Sequence, residues 1–248
     1  MKLFYQGHGS FRLELSDGRI IYVDPYAGKD DENIKASYGL PADIILVTHQ
    51  HHDHNQVDLC AKKDGCKIIS NFEALSVPEK EEEKDRESDG GGEKDDWAAY
   101  AAIPGLSFLS VLSEYSGIGY NKFDVGGIII QAVEASNKNH SPEECAGYVI
   151  TADGIKIYAA GDTSATQQMR LLKNIDYALL PCDGKYNMDA KEAAECARLI
   201  KARHNIPYHT GGGLFDRAAA EAFDAPNRLI IDAGQEIQLQ GRIMSDRR

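Results

Sequence analysis

Residues 49–54 read His49-Gln50-His51-His52-Asp53-His54, five potential metal-binding side chains in six positions. Read as His-x-His-x-Asp-His, the run offers two pairs of donors from one loop. His49 and His51 can hold one ion, and Asp53 and His54 a neighbouring one. Neutral imidazoles with one carboxylate suit Zn²⁺ or a similar divalent ion. His52, at an x position, is expected to turn away. The run directly follows Ile44-Ile45-Leu46-Val47-Thr48, whose apolar, β-branched character predicts a strand that fixes where the loop begins.

One loop cannot surround two ions, so further donors must come from other strand ends. His140 lies in the polar loop Asn137-Lys138-Asn139-His140-Ser141 after an apolar strand; a histidine in such a loop is by itself more often a surface residue than a ligand. Asp162 lies in Gly161-Asp162-Thr163, just beyond another apolar strand; it could bridge two cations or serve as a turn or cap residue. His209 precedes Thr210-Gly211-Gly212-Gly213, whose glycines permit close backbone approach; alone it reads either way. His204 beside Arg203 is expected at a helix end, where a cation favours the dipole. His8 and Asp24 are expected to orient donors rather than to bind, because a metal-bound histidine gives its other N–H to an acceptor. Lys185, in the loop 181–188, could meet an anionic substrate or be merely solvated.

The elements that position these residues follow a regular order. Phe11, Leu13 and Leu15 alternate with polar residues, Asp17-Gly18 makes a turn, and 20–23 returns to Asp24-Pro25. After the histidine loop, 57–63 predicts a helix ending at Gly65, and 67–70 a short strand. Strands are expected at 127–133, 148–151, 155–160, 175–180, 208–209 and 229–232. Asp153-Gly154 turns a second hairpin that resembles the first, each ending at an aspartate, which hints at internal duplication. Asp189 predicts a helix cap, with Glu192 completing a capping box and the helix running to about residue 203. Strands and hairpins alternating with helices imply a layered α/β fold with a mixed sheet.

Residues 79–96 break this rhythm. They hold ten Asp/Glu against four Lys/Arg, a net −6 that is half of the chain's −12. Such a segment cannot bury enough apolar surface to offset its ordering, so a mobile, solvated insertion is expected. The stretch 97–120 could be a lid beside the site or an ordinary surface loop. The 248 residues suffice for one large domain. The acidic balance and pI of about 5.1 argue against nucleic acid or anionic membrane as a general partner. No stretch has the length of a membrane span, and no leader is evident. Five scattered cysteines without a Cys-x-x-Cys pair suit reduced thiols of a cytoplasmic protein. A homo-oligomer remains open.

Taken together, Thr48-His49-x-His51-x-Asp53-His54, His140, Gly161-Asp162-Thr163 and His209 resemble, in order, the donor series of the metallo-β-lactamase superfamily. The resemblance covers nearly the whole chain. Gly7-His8-Gly9-Ser10-Phe11, Val23-Asp24-Pro25-Tyr26 and the stretch from Pro226 to Ile237 are similar to the UlaG-like branch, which includes L-ascorbate-6-phosphate lactonase. The resemblance implies a four-layer αββα sandwich of two mixed sheets over residues 1–248. It implies His49, His51 and His140 on one ion, Asp53, His54 and His209 on another, and Asp162 between them. It also implies a metal-dependent hydrolase: two ions, Zn²⁺ or else Mn²⁺ or Fe²⁺, about 3.5–4 Å apart with a shared hydroxide. Asp53 or Asp162 would orient that hydroxide or take its proton. The expected substrate is a small anionic lactone, ester or amide. A phosphodiester is the alternative bond, as in the N-acylphosphatidylethanolamine-hydrolysing relatives, and a non-catalytic metal sensor the alternative of another class. A di-iron redox role fits less well, since those relatives carry glutamate where His51 stands. The acidic insertion and 97–120 depart from the usual pattern where the substrate pocket would be shaped.

Overall fold

The computed structural model describes residues 1–28, 31–70, 107–110, 122–211 and 213–242. The acidic segment 79–96 lies outside the described residues. So does the stretch 97–120, apart from the backbone of one strand, Ser107–Ser110.

Thirteen described strands form two sheets. The first contains β1 (Lys2–Gly7), β2 (Ser10–Glu14), β3 (Ile20–Val23), β4 (Ala42–Leu46), β5 (Lys62–Ser70), β6 (Ser107–Ser110) and β13 (Glu236–Gln238). Their spatial order is β13-β1-β2-β3-β4-β5-β6. The second contains β7 (Lys122–Val125), β8 (Ile128–Glu134), β9 (Ala146–Ala152), β10 (Ile155–Ala159), β11 (Tyr177–Pro181) and β12 (His204–Tyr208), in the order β12-β11-β10-β9-β8-β7. Each sheet is mixed. β3, β4, β5 and β6 pair in parallel, as do β10, β11 and β12, and the remaining pairs are antiparallel.

The side-chain period of two sorts the apolar residues into layers. Along β3, Ile21 and Val23 enter the core between the sheets, while Ile20 and Tyr22 point to the outer face. Along β4, Ile44 and Leu46 face inward, and Ile45 with Val47 beyond the strand face outward. Burial on both faces explains why 44–47 reads as an unbroken apolar run. The inter-sheet core also holds Leu3, Phe11, Leu13, Ile130, Tyr148, Ile157, Leu179 and Ile206. Each fully buried side chain of this size contributes ~1.5–3 kcal/mol. Helix α1 (Glu32–Ala36) and two 3₁₀ turns, Ser37–Gly39 and Val57–Leu59, cover the outer face of the first sheet. Helix α2 (Ala190–Ile200) covers the second, burying Ala193, Cys196, Ala197 and Ile200, and α3 (Arg217–Ala222) packs beside it. The result is the αββα sandwich, with a thin outer layer over the first sheet among the described residues.

Several expected elements differ. The 57–63 helix is replaced by the Val57–Leu59 turn and by β5, a strand running through Gly65. The run is too short to nucleate a helix in isolation. β5 instead pairs with β4 through a bulge: Ala42 faces Lys62, but Ile44 faces Lys67. Helix α2 stops at Ile200 because Lys201 takes a left-handed conformation, φ 57°. His204 therefore opens β12, stacked on Tyr177, rather than ending a helix. Asp189 caps α2 by accepting from the Glu192 amide. The Glu192 carboxylate, however, accepts from Ala165 N at 3.0 Å and ties down the chain just after Asp162. Residues 229–232 form no strand; Leu229 N donates to Asn205 O beside β12. β1 and β13 lacked a clear alternating signal.

The two similar hairpins are equivalent in the fold. β2–β3 is followed by parallel β4, and β9–β10 by parallel β11. Their turns touch: Ser16 donates from N and Oγ to the two carboxylate oxygens of Asp153, at 2.7 and 2.8 Å.

Candidate metal centre

The strands β1, β3 and β4 of the first sheet run the same way, as do β8, β10, β11 and β12 of the second. Their C-terminal ends carry His8, Asp24, the loop 49–54, His140, Asp162, Asp183 and His209. Backbone bonds hold the two sheet edges together there: His209 N donates to His8 O at 2.8 Å and Ala146 N to Thr48 O at 3.0 Å. Tyr148 Oη donates across the interface to Val47 O at 2.6 Å.

His8, Asp24 and His209 each stand one residue past a strand and adopt left-handed backbone, with φ of 53°, 45° and 46°. Non-glycine residues seldom hold this conformation, which costs roughly 1–3 kcal/mol where surrounding structure enforces it. Here it turns each chain sharply at the strand end. Gly9 serves the site by lacking a side chain: a Cβ there would lie 2.7 Å from His54 Cε1. Gly161 combines φ +69° with a Cβ position 2.9 Å from Ala146 O, so the turn that presents Asp162 admits only glycine without strain.

Three groups of side chains bring donor atoms within 4.8 Å of one another: His49, His51 and His140; His8, Asp53, His54 and His209; and His49, His54 and Asp162. The structure thus gathers all seven residues expected to bind metal. His52 joins none of these groups and lies 6.1 Å, ring to ring, from Tyr26. Asp162, 3% exposed, faces members of both outer groups. Its Oδ1 is 3.5 Å from His54 Nε2, and its Oδ2 is 3.5 Å from His209 Nε2 and 3.8 Å from His140 Nε2.

Hydrogen-bond partners fix which ring nitrogen of each histidine points inward. Thr48 Oγ1 donates to Asp24 Oδ2, leaving its lone pairs to accept from His49 Nδ1 at 2.9 Å. Asp24 Oδ2 accepts from His54 Nδ1 at 2.9 Å. Asn137 Oδ1 accepts from His140 Nδ1 at 2.9 Å. Asp183 Oδ2 lies 3.0 Å from His209 Nδ1. Thr48, Asp24 and Asn137 each accept an Nδ1 proton and Asp183 faces a fourth Nδ1, so the Nε2 atoms of all four rings face the cleft. His51 alone turns its Nδ1 inward, 3.0 Å from His49 Nε2 and 3.1 Å from His140 Nε2. His54 Nε2, both ring nitrogens of His209 and Asp162 Oδ1 are buried without a hydrogen-bond partner, Asp183 meeting His209 as a close charge. Converging lone pairs and an unpartnered buried carboxylate oxygen are costly unless a cation compensates them. The donor set therefore fits divalent metal, with imidazole and carboxylate in the proportions that Zn²⁺ and similar ions accept.

The charges point the same way. Burial alone would raise the Asp162 carboxyl, but the neighbouring rings, His209 and His54 foremost, outweigh it and keep it ionised. Asp53 is likewise held well below the usual carboxylate range despite burial, chiefly by His54 and His8. Burial lowers His49 far below 6.5 and His140 to about 4, leaving both neutral and ready to donate a lone pair. For His54 burial opposes protonation, but Asp162, Asp53 and Asp24 draw positive charge onto the ring, a charge that a cation at Nε2 would supply in place of the proton.

His8 reaches Asp53, with Nε2 2.8 Å from Asp53 Oδ2 and Nδ1 3.1 Å from Gly213 O, and its ring lies on His209 at 3.8 Å between centroids. It therefore sits against a donor carboxylate, Asp53, rather than against a histidine N–H. Asp24 does meet the N–H of His54. Lys185 is exposed, its Nζ 4.5 Å above the Tyr186 ring, on the loop that follows β11. Sequence reasoning passed over Asp183 and Asn137. Asp183 follows β11 as Asp24 follows β3 and Asp162 follows β10, and that repeated strand-then-aspartate pattern could have revealed it.

The described residues contain no helix long and apolar enough to cross a membrane. The model for the beta-lactamase superfamily domain matches residues 2–209. A UPF0173 metal-dependent hydrolase of Thermococcus onnurineus is 31% identical over 96% of this chain and 100% of its own length. Another, from Rubrobacter xylanophilus, is 30% identical over 96% of this chain and 92% of its own. Among solved structures, Igni18, a metallo hydrolase of Ignicoccus hospitalis, superimposes with a TM-score of 0.67 over 97% of this chain and 99% of its own, at 20% identity, a likeness of fold. With the αββα architecture and the His/Asp cluster at its sheet edge, these matches establish that the chain belongs to the β-lactamase superfamily, among its UPF0173 metal-dependent hydrolases.

Proposed function

We propose that this chain, acting as one domain, hydrolyses a lactone or a related ester or amide in a small anionic substrate, at a centre of two divalent ions, Zn²⁺ first among them. In this reading His49, His51 and His140 hold one ion, Asp53, His54 and His209 the other, and Asp162 faces both. The observation that carries it is the set of four imidazoles, His49, His54, His140 and His209, whose Nε2 atoms gather around the buried Asp162 carboxylate, three of them with Nδ1 hydrogen-bonded from behind. Such ions supply an activated water near neutral pH and draw off the charge that develops on the attacked group.

The chain's own residues supply the rest. Asp53 is held by His8 through one carboxylate oxygen; it and Asp162 are the carboxylates available to orient the attacking water and accept its proton. The walls are rigid because each donor ring is fixed by a neighbour. Lys185 would attract the anionic part of the substrate. It adjoins Tyr186, whose carbonyl oxygen accepts from Asn137 and Asn139 on the His140 loop. The opening motif supports the UlaG-like branch, since His8 and Gly9 in it act at this site and Gly7 and Ser10 brace the turn that carries them. Gly7 has φ +108° and leaves no room for a Cβ against Leu214. His8 holds Asp53, Gly9 makes space for His54, and Ser10 bonds Tyr38 at 2.6 Å. The five buried free cysteines suit a reducing cytoplasm.

The test compares hydrolysis of a phosphorylated sugar lactone and a model phosphodiester by Zn²⁺- and Mn²⁺-loaded protein, with His49→Ala as the blank. Preferential turnover of the lactone, absent from the blank, is the expected result. Preference for the phosphodiester would replace the bond assigned here. Stoichiometric metal binding with no turnover of either would favour a sensing role.

A further inference from the structure

Asp183 touches only one of the candidate donors directly, yet a line of side chains connects it to another. Asn187 Nδ2 donates to Asp183 Oδ2 at 2.8 Å. Asn137 Nδ2 donates to Asn187 Oδ1 at 3.2 Å. His140 Nδ1 donates to Asn137 Oδ1 at 2.9 Å. The donors all point one way, from His140 through two amides to Asp183, whose same Oδ2 also faces His209 Nδ1 at 3.0 Å. We propose that Asp183, relayed by Asn187 and Asn137, is one carboxylate that orients two histidines on opposite sides of the centre, His209 directly and His140 at a distance, with Asn187 the positioning residue that couples them.

The geometry gives the relay a physical basis. Aligned amides polarise one another, so a negative charge at the end strengthens each link. Asp183 is itself firmly placed. Its Oδ1 accepts from the amides of Lys185 and Tyr186 at 2.6 and 2.7 Å, and from that of Asn187 at 3.3 Å, and its side chain is 3% exposed. Asn137 is placed from the other side by donating also to Tyr186 O at 3.1 Å and by accepting from Asn139 N at 2.8 Å. The loop 183–187 thus straps the end of β11 to the turn that carries His140. Partners of this kind fix ring orientation and basicity, and their loss typically lowers metal affinity about 10–100-fold.

The metal readout rests on the two-ion reading above; the proton readout does not. Asn187→Leu keeps the size of the side chain and removes both of its hydrogen bonds. Zn²⁺ titration against a competing chelator is expected to give about tenfold weaker binding of both ions, although Asn187 is a ligand to neither. In ¹⁵N–¹H spectra, the His140 Nδ1–H resonance, assigned by its absence in His140→Gln, is expected to move in Asn187→Leu and also in Asp183→Asn, which never touches His140. A purely structural Asp183 would not shift that proton. An Asn187→Leu protein with both affinities and the His140 resonance unchanged would overturn the relay. If the leucine prevents folding, Asn187→Ser breaks the same link with a small polar side chain. A wild-type protein that binds fewer than two ions would overturn the two-ion reading, and the relay would then stand or fall on the proton resonances.

Discussion

Asp24 Oδ2 lies 2.9 Å from His54 Nδ1, and neither side chain is reached by solvent. The same oxygen accepts from Thr48 Oγ1, and Asp24 Oδ1 accepts from Thr48 N at 2.7 Å. One carboxylate at the end of β3 therefore anchors the start of the histidine loop and orients a ring at its end. Asp24→Asn keeps the shape but must turn an NH₂ group toward one of these donors. Metal affinity is expected to fall about 10–100-fold, measured by competitive titration with a chromophoric chelator. Unchanged affinity would show that His54 holds its orientation without Asp24.

Gly9 tests how little space His54 has. The methyl of Gly9→Ala would start 2.7 Å from His54 Cε1, and the ring, fully buried between Gly9 and Asp24, must shift or the backbone must yield. Overpacking of this kind costs about 1–3 kcal/mol. The expected result is a lower unfolding midpoint together with reduced metal stoichiometry by elemental analysis. Full stoichiometry would mean that the backbone yields and the ring stays in place.

Asp162 Oδ1 faces His54, and its Oδ2 faces both His209 and His140, so the carboxylate adjoins both groups of donors. Asp162→Ala should lower occupancy of both ions, where loss of a residue serving one group alone would empty only one. Two tightly held ions with an unchanged hydrolysis rate would remove the bridging role. The metal-free variant is expected to be no less stable than metal-free wild type, because it no longer buries an unpartnered carboxylate oxygen.

Asp153 joins the two hairpin turns far from the cleft. It accepts from Ser16 N and Oγ and pairs with the N-terminal ammonium at 3.4 Å. Burial would raise its carboxyl, but these partners hold it below its ordinary 3.8. A carboxyl lowered by folding stabilises the protein above that value and loses the contribution as pH falls through the folded-state pKa. Asp153→Asn, which tolerates the left-handed φ of 52°, should cost about 1 kcal/mol at pH 7, or about 2–4 °C in Tm. The gap between variant and wild type should close as the pH is lowered below 3.8. A gap that persists there would assign the effect to packing rather than charge.

Much of this site was legible in the chain itself. His49 to His54 declared its chemistry by residue type and spacing, and Ile44 to Val47 declared a strand buried on both faces. Each of the two Asp-Gly hairpins led to an aspartate, Asp24 and Asp162, that the fold places at the same edge of the sandwich, one from each sheet. These signals are local: they depend on the period of a strand, the turn preference of Asp-Gly and the few residues of one loop. What the tertiary structure alone decided depends on where separate strands end in space. The side-by-side closure of β1 and β12, through His209 N and His8 O, is what puts His8 on Asp53 and His209 over the cleft. The left-handed turns at His8, Asp24 and His209 have no reliable sequence mark, because they are imposed by contacts on both sides. Gly65 read as a helix stop because nothing local showed β4 waiting to pair with a bulged strand. Asp183 and Asn137 were passed over for the same reason. Their importance lies in which nitrogen of a distant imidazole they face, and a ring's orientation is settled only when the chain has brought its partners within hydrogen-bonding distance.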